Sequence, residues 1–368
     1  MSANKINNQE KNKLKSIPGT KPSLKNAQLL ISTGIPSLDN LIGGGLPIGT
    51  IILIEEDLYG FYSKAMLKYF LAEGCVASHE LFVASQDISP EKLVSELPAE
   101  IRNEPNLMPM NPQIDSSHDK MQIAWRYQNM KVTDSLSSCP SDNFGHYYDL
   151  TKNMDKELIT KTHVTYWNGE ENKWQSSDFK NLAYVDLLKS IQETLKERQF
   201  YVSSNPEKRN IMRIGILSLG SRLWLADNDE QSQSELIKFL YCFRAILRNC
   251  FAVAAITVPS RNFEHNNIVE RIEHLADTVI SLESFAGSSK ETNPVYKDYH
   301  GLLNVRKLSA INTLESHCPE TLDLGFKLRR KKFTIEVLHL PPDFGDSEHD
   351  DKKMSLTGCG TSQKMLDF

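Results

Sequence analysis

The residues whose types and spacing could bind a phosphate lie in one segment of the chain, from Ser32 to Gly74. A short helical pattern at Pro36 to Leu41 is followed by three glycines, by Gly49 and by the β-branched run Ile51 to Ile54. An amphipathic helix pattern comes next. A loop between a buried strand and a helix can hold phosphate on backbone N–H groups and on the helix N-terminus. The segment therefore predicts the frame of a nucleotide site.

The loop itself departs from the phosphate-binding pattern. A working loop has the sequence G-x-x-x-x-G-K followed by Ser or Thr. In this chain the two glycine positions hold Glu56 and Phe61, and the lysine position holds Tyr62. Ser63 keeps the hydroxyl position, but Lys64 comes one residue late. We expect a degenerate loop that keeps the fold. The alternative, in which Lys64 replaces the missing lysine, stays open at this point.

Acidic residues add to this expectation. Glu55, Glu56 and Asp57 stand where phosphates would bind, and one like-charge contact at ~4 Å costs about 1 kcal/mol in water. A hydrolytic site also needs a buried strand that ends in an acid holding Mg²⁺. The best such strand, Ile214 to Ser218, ends in a serine, so we expect no catalytic residue and no metal site. The predicted remnant of the site comprises Glu56, Asp57, Gly60, Tyr62, Ser63 and Lys64, with Ser218 at the lost acid position.

The elements that must position this loop follow from apolar periodicity. Apolar runs alternate with amphipathic stretches, which predicts an α/β domain over residues 27–340 with a mostly parallel sheet covered by helices. Ser63 to Glu73 predicts a helix with Gly74 as its C-cap. The other predicted elements are strands at Leu81 to Ala84, Ile123 to Tyr127, Ile214 to Leu219, Ala252 to Val258 and Thr278 to Leu282, and helices at Tyr184 to Gln199 and Glu235 to Arg248.

The end of the domain and its inserts show other patterns. Three apolar stretches without a helix between them predict an antiparallel C-terminal extension: Leu302 to Lys307, Leu322 to Leu328 and Phe333 to Leu338. Residues 86–120 and 128–180 have little periodicity and predict long inserted loops. Residues 1–26 carry six lysines and predict a flexible basic arm, either a solvated tail or a weak nucleic-acid or import segment. Residues 341–368 predict a second flexible tail.

Composition narrows the classes of protein that fit. The formal net charge is −5, so contact with nucleic acid would have to come from a local patch. The six cysteines form no CxxC pair and no zinc spacing, which indicates reduced thiols in the cytoplasm or nucleus. We see no secretory signal and no stretch of ~18 apolar residues, so we expect no membrane contact.

The glycine-rich entry has a specific pattern, T-G-x-x-x-L-D-x-x-x-G-G-G-x-x-x-G. It resembles the run that precedes the phosphate loop in the RecA, RadA and KaiC superfamily. The matching residues are Thr33, Gly34, Leu38, Asp39, Gly43, Gly44, Gly45 and Gly49. The resemblance implies a RecA-like P-loop fold in which the Walker motifs have degenerated.

Several stretches in the same order resemble a narrower family, the fourth subunit of the Elongator complex. They are the acidic run Ile54–Asp57, then IAWRY at Ile123–Tyr127, HYYDLT at His146–Thr151, and SLGS at Ser218–Ser221 followed by Trp224. Together they cover most of residues 30–285. Members of this family lack a complete phosphate-binding loop, so the departures described above fit the family.

This resemblance implies partners and a role. Members of the family join the fifth and sixth Elongator subunits in a heterohexameric ring that joins the larger Elongator subunits. The ring is implied to bind tRNA, to release it in a step linked to ATP, and to support 5-carboxymethyl-type modification of wobble uridines. The radical and acetyl-transfer chemistry belongs to another subunit. We therefore expect a non-catalytic chain without its own cofactor, with ATP at ring interfaces, in the cytoplasm and also the nucleus.

Candidate tRNA contacts are cations near the expected central opening of the ring. In RecA-like rings the loops after the acid-bearing strand and after the next core strand face that opening. These loops carry Arg222 and Arg261 here. The densest basic cluster consists of Arg329, Arg330, Lys331 and Lys332. This cluster could contact phosphates, act as an import signal or solvate a hairpin turn.

Other interpretations stay open from the residues alone. The aromatic side chains of Trp125, Tyr127, Tyr147 and Tyr148 predict either core packing or contacts between subunits. An intact lysine and acid would have favoured an active ATPase of the recombinase or clock type. A protein that senses ATP without hydrolysing it is a further alternative.

Overall fold

The computed structural model describes residues 17–23, 26–101, 144–170, 179–224, 229–263, 266–313, 317–319, 321–329 and 332–338. The strand predicted at Ile123 to Tyr127 lies outside these ranges, as do Arg330, Lys331 and the predicted tail at 341–368.

A nine-stranded sheet forms the centre of the described structure. Its strands, in spatial order, are β14 (Lys332–Val337), β13 (Leu324–Arg329), β12 (Gly301–Lys307), β11 (Thr278–Ser284), β4 (Ile51–Glu55), β10 (Ala252–Val258), β9 (Met212–Ile216), β5 (Glu80–Ala84) and β8 (Val164–Trp167). The strands from β11 to β8 run parallel, and β12 to β14 extend the sheet antiparallel. Both the parallel core and the antiparallel extension were predicted from the sequence.

Helices cover both faces of this sheet and create two hydrophobic cores. The bounds are α1 (Pro36–Leu41), α2 (Phe61–Val76), α3 (Pro90–Ser95), α4 (Lys156–Lys161), α5 (Leu182–Glu197), α6 (Asp229–Leu247), α7 (Asn266–Leu275) and α8 (Ser289–Thr292). Strand β4 shows how the cores divide, because Ile52 and Ile54 face α2 while Ile51 and Leu53 face the layer of α5, α6 and α7. Burial on both faces explains the continuous apolar runs of the central strands.

Two small sheets flank the α2 side. Strands β1 (Thr20–Ser23), β2 (Gln28–Ile31) and β3 (Leu46–Pro47) form one, and β6 (Pro98–Glu100) with β7 (Tyr148–Asn153) forms the other. The first includes the end of the segment predicted as a flexible arm at residues 1–26, which corrects that boundary. Ile17 is buried in the core, and the Pro18 carbonyl contacts the buried His79 ring at 2.8 Å. These contacts hold the strand in place.

The helix predicted to end at Gly74 continues to Val76, so the C-cap assignment was wrong. A Cβ atom on Gly74 would lie 2.6 Å from the Leu81 side chain and 2.8 Å from that of Arg213. Glycine is therefore needed inside α2, where the helix packs closely on β5 and β9. This packing overrides the weak helix propensity of glycine, which costs about 1 kcal/mol.

The inserts predicted as long loops are also partly wrong. Residues 86–120 contain α3 and β6, and residues 128–180 contain β7, α4 and β8. Strand β8 even joins the central sheet, in parallel register with β5. Helix α4 has no buried residue, so it shows no apolar periodicity in the sequence. Its N-cap is Asp155, whose side chain accepts a hydrogen bond from the Glu157 N–H at 3.1 Å.

Candidate functional site

The glycine-rich entry is held by one buried aspartate. Asp39 in α1 accepts hydrogen bonds from the Thr33 N–H and hydroxyl, both at 2.7 Å, and from the Ser32 hydroxyl. Burial raises the pKa of Asp39 to about 6, although these hydrogen bonds oppose that shift. Thr33 and Asp39 of the motif therefore close the turn between β2 and α1. Their role here is structural, since they touch each other and not an open site.

In the loop from β4 to α2, a carboxylate side chain of the protein binds the start of the helix. The Asp57 carboxylate accepts hydrogen bonds from the N–H groups of Phe61 (3.1 Å), Tyr62 (3.0 Å) and Ser63 (3.1 Å) at the start of α2. Gly60 turns the chain with a φ of 62° just before these donors. Free N–H groups at a helix N-terminus are the donors that bind phosphate in nucleotide loops. Here the buried carboxylate of Asp57 occupies them.

Glu56 lies against the position of the lost acid. Its carboxylate accepts hydrogen bonds from the hydroxyls of Ser218 (2.8 Å) and Thr257 (2.7 Å). Burial raises the pKa of Glu56, while the two hydroxyl bonds lower it. Ser218 lies two residues beyond the end of β9, with a left-handed φ of 51°, so the strand is shorter than the predicted Ile214 to Leu219. The serine that replaces the metal-binding acid therefore binds a side chain of the same protein.

Tyr62 fills the place of the phosphate-binding lysine with an aromatic ring. The ring lies 4.7 Å from that of Phe326 in β13 and 5.3 Å from that of Phe61. The side chain therefore ties the start of α2 to the C-terminal extension. Ser63 is fully buried, and its hydroxyl has no hydrogen-bond partner within the described structure.

Lys64 does not take over the role of the missing lysine. It lies one turn before Lys68 on the same face of α2, and Lys68 forms an ion pair with Glu96 at 2.8 Å. The hydrogen bond from Lys68 lowers the pKa of Glu96, and the charge of Lys64 adds to this effect. The positive charge of Lys64 is thus near Glu96, and the structure gives no support to the alternative in which it binds phosphate.

The carboxylates of the loop are held by groups of the same protein, although the charge of Asp57 still raises the pKa of Glu56. Asp57 is stabilised by hydrogen bonds from backbone N–H groups, and Glu56 by hydrogen bonds from two hydroxyls. Glu55 is buried beside Glu273 of α7. Burial and the hydrogen bond with Glu55 raise the pKa of Glu273 to about 7. Asp57 and Glu56 are thus compensated by hydrogen-bond donors, whereas the Glu55 Oε1 atom is buried without a hydrogen-bond partner in the described structure.

Three large side chains next to the filled site face solvent. Leu58 is 52% exposed, Tyr59 is 69% exposed and Phe61 is 53% exposed. We refer to these three residues as the loop tip. They lie at the carboxyl end of β4, on the edge of the parallel sheet where ligands of such folds usually bind. A cluster of exposed apolar groups of this kind is a candidate contact surface.

The predicted tRNA contacts fall in two places. Arg222 follows β9 and Arg261 follows β10. Both are exposed at the carboxyl ends of the parallel strands, as the loop tip is. Arg329 and Lys332 are exposed at the tip of the β13–β14 hairpin, on the antiparallel side of the sheet. The Lys332 ammonium lies 4.3 Å from the centre of the Tyr147 ring, a long-range contact that no local pattern in the sequence indicates.

The order of the parallel strands completes the classification. Numbered along the chain from β4, the five strands β4, β5, β9, β10 and β11 are arranged 5-1-4-3-2, with β10 between the loop strand and the strand of the lost acid. This order, with the loop between the first strand and α2, defines a RecA-like P-loop domain. At its nucleotide loop the Asp57 carboxylate occupies the N–H groups that would bind phosphate, and Tyr62 stands at the lysine position.

Comparisons place this domain in a family. The family model of the PAXNEB protein matches residues 13–368. Elongator complex protein 4 of Danio rerio is 46% identical, with 97% of this chain and 94% of the relative aligned. The Xenopus laevis and Homo sapiens proteins of the same name are 44% and 43% identical, covering 97% and 99% of this chain and 93% and 91% of theirs. The chain belongs to the PAXNEB family, and its resemblance to the fourth Elongator subunit is confirmed.

A solved structure is also similar. The KaiC-like protein PH0186 of Pyrococcus horikoshii OT3 matches with a TM-score of 0.46 and 15% identity, over 83% of this chain and 98% of that chain. Within the described ranges, no helix is long and apolar enough to cross a membrane. The same ranges contain no group of three or more His, Cys, Asp or Glu residues that could hold a metal ion.

Proposed function

We propose that this chain is a non-catalytic subunit of the Elongator complex. It joins the fifth and sixth subunits in a heterohexameric RecA-like ring, and the ring binds tRNA and supports 5-carboxymethyl-type modification of wobble uridines. The observation that carries the proposal is the filled nucleotide site, in which Asp57 occupies the phosphate-binding N–H groups and Tyr62 replaces the lysine. The relatives named Elongator complex protein 4 supply the identity of the complex.

The loop tip supports the assembly step. RecA-like domains form rings through heterologous contacts, in which two different surfaces of neighbouring subunits meet. A subunit whose own site is filled can still complete such a contact. Leu58, Tyr59 and Phe61 offer an apolar surface at the sheet edge where nucleotide would otherwise bind. Partners of this surface are the sister subunits, and the larger Elongator subunits bind the completed ring.

The chain contributes no cofactor of its own in this proposal. ATP acts at the interfaces of the ring, where the sister subunits supply the groups that Tyr62 and Ser218 lack. Arg222 and Arg261, at the carboxyl edge of the sheet, contact tRNA phosphates. Such contacts position the RNA without selecting its bases. The protein acts in the cytoplasm and also in the nucleus, with no membrane contact.

Affinity purification of the tagged chain from its own cells, under mild conditions, tests the proposal. Mass spectrometry should find two sister RecA-like proteins in equal amounts together with larger Elongator subunits, and native mass should fit a hexamer. Extracted tRNA should bind the purified ring. A lone chain, or a homo-oligomer that brings DNA-repair factors, would contradict the proposal and favour an active RecA-like or KaiC-like ATPase.

A further inference from the structure

The outer face of the β13–β14 hairpin carries positively charged side chains next to aromatic rings. Side chains alternate along both strands, and Phe326, Leu328 and Phe333 point into the core. Arg329 and Lys332 therefore project from the opposite face, and both are exposed. We refer to this surface, with Tyr147 of the adjacent insert, as the outer hairpin face.

Tyr147 is the aromatic part of this surface. Its ring is 48% exposed, whereas the next residue, Tyr148, is fully buried and donates a hydrogen bond to Glu73 at 2.6 Å. The buried Tyr148 anchors the strand so that Tyr147 is presented to solvent at its start. The Lys332 ammonium lies 4.3 Å from the Tyr147 ring centre. The insert and the hairpin, far apart in sequence, thus meet at one lysine–tyrosine contact.

A second lysine–tyrosine contact on the same face serves as a comparison, because its lysine is buried and paired. The Lys327 ammonium lies 4.4 Å from the Tyr299 ring centre, but Lys327 is only 8% exposed and forms an ion pair with Glu336 at 2.7 Å. That charge is compensated and covered. The Tyr147–Lys332 pair is instead open to solvent.

The register of the hairpin adds an independent observation. Arg329 and Lys332 are directly opposite each other in the antiparallel ladder. Like charges in directly opposite positions destabilise a sheet. An anion that binds between these cations would relieve the repulsion, and a phosphate carries the required charge. The neighbouring ring offers a flat surface on which a base can stack, a contact that every base can make.

We propose that the outer hairpin face binds an unpaired nucleotide of RNA, with the base stacked on Tyr147 and the adjacent phosphate held by Arg329 and Lys332. The choice of RNA as the ligand rests on the proposed function. The site is distinct from Arg222 and Arg261, which lie at the carboxyl edge of the parallel strands. It binds without base selectivity, because stacking and phosphate contacts are common to all nucleotides.

Binding of a single-stranded RNA of about 12 nucleotides to the full chain tests this site, since single-strand sites span roughly 4–16 nucleotides. Tyr147→Ala should weaken binding about tenfold with little change in salt dependence, and Tyr147→Phe should bind like the wild type because the ring remains. Lys332→Glu should weaken binding and lower the salt slope by about one or more. Tyr241→Ala on α6 is the matched control, because Tyr241 is 68% exposed and α6 packs between α5 and α7 over the parallel strands, away from the hairpin.

The outcomes separate this site from the proposed function. The stacking site is overturned if wild type and Tyr147→Ala bind the single-stranded RNA equally, or if the wild type binds duplex RNA as tightly as single-stranded RNA. Neither result contradicts the proposed ring or its binding of tRNA. Loss of partner subunits from Tyr147→Ala, with unchanged RNA affinity, would show a protein contact and would also overturn it. If the wild-type chain binds the oligonucleotide as described but purifies without Elongator subunits, the nucleotide site stands and the proposed function fails.

Discussion

At the start of α2 the Asp57 carboxylate accepts three backbone hydrogen bonds from Phe61, Tyr62 and Ser63. A phosphate at this position would accept the same bonds. A carboxylate of the protein thus takes the place of a nucleotide phosphate that would exchange with solvent. This fits a domain that keeps the RecA-like fold for the proposed assembly. It also removes the need for a lysine, because a single carboxylate carries less charge than a triphosphate.

We therefore expect Asp57→Ala to destabilise the chain by about 1–3 kcal/mol, because the N–H groups at the start of α2 lose their acceptor and the helix loses its cap. Asp57→Asn should cost less, since one amide oxygen can still accept. Urea unfolding monitored by circular dichroism measures both values. Asp298→Ala, at an exposed aspartate, is the control. Unchanged stability of Asp57→Ala would show that the three bonds contribute nothing to folding.

The sequence predicts which positions have lost a nucleotide-binding side chain. It does not predict which side chains of the protein take over the freed hydrogen-bond donors. The sequence shows that Tyr62 cannot act as a lysine and that Ser218 cannot hold a metal as an aspartate does. It cannot show that Asp57 folds back onto the helix start, because that contact depends on the turn at Gly60. The repulsion expected between Glu55, Glu56 and Asp57 and a bound phosphate stays a prediction. Like-charged neighbours in sequence found different partners in space.

At the scale of elements, a buried network joins α2 to the insert that contains β7. Glu73 in α2 is fully buried and accepts hydrogen bonds from the N–H groups of Gly145 and His146, both at 3.1 Å, and from the Tyr148 hydroxyl. Arg213 of β9 lies nearby, fully buried, with bonds to the Ser32 and Phe70 carbonyls. This network holds in place the strand that presents Tyr147.

The network predicts a defined loss of stability in acid. Burial alone would raise the pKa of Glu73, but the His146 hydrogen bond and the Arg213 charge lower it to about 2. A lowered folded pKa means that the stabilisation is complete above about pH 4.5, the usual value, and is lost as pH falls towards 2. The shift corresponds to roughly 3 kcal/mol. Asp39, with its raised pKa, titrates in the opposite sense between about 4 and 6.

The comparison of wild type with Glu73→Gln isolates this contribution. At pH 7 the variant should be less stable by about 3 kcal/mol, and the difference should shrink as pH approaches 2. Urea unfolding at several pH values gives the curve. Glu157→Gln, at an exposed position on α4, should run parallel to wild type. A Glu73→Gln difference that stays constant from pH 7 to pH 3 would disprove the assignment.

The elements of the central sheet were predictable because both faces of their strands are buried. Ala252–Val258 was predicted with its observed bounds, and Ile51 to Ile54 and Leu81 to Ala84 each fell one residue short. The insert was missed because its strands and helix are half exposed and carry no clear period. Strand β7, for example, buries only its first two residues. Its position depends on Glu73, a long-range contact that local patterns do not contain.

At the scale of the whole molecule, the two proposed functions, subunit contact and RNA binding, lie on two different surfaces. The loop tip lies at the carboxyl edge of the parallel strands, and the outer hairpin face lies on the antiparallel extension. Tyr62 connects them, since its ring packs on Phe326 of β13. The start of α2 thus links the proposed surface for neighbouring subunits to the proposed surface for RNA.

The loop tip should therefore be dispensable for folding and necessary for assembly. Leu58 and Tyr59 are both more than half exposed, so replacement of each by serine removes little burial within the chain. Burying a large apolar side chain at an interface contributes about 1.5–3 kcal/mol. The double variant Leu58→Ser and Tyr59→Ser should keep the unfolding midpoint of wild type but bind its partner subunits at least tenfold more weakly.

Native mass of the ring, reassembled from the purified subunits at graded concentrations, measures this loss. Val202→Ser is the matched control, because Val202 is 58% exposed but lies near the amino end of β10, at the opposite edge of the sheet. Assembly of the double variant at wild-type concentrations would move the interface away from the loop tip. The filled site would then serve folding alone, because its exposed apolar neighbours would have no partner in the ring.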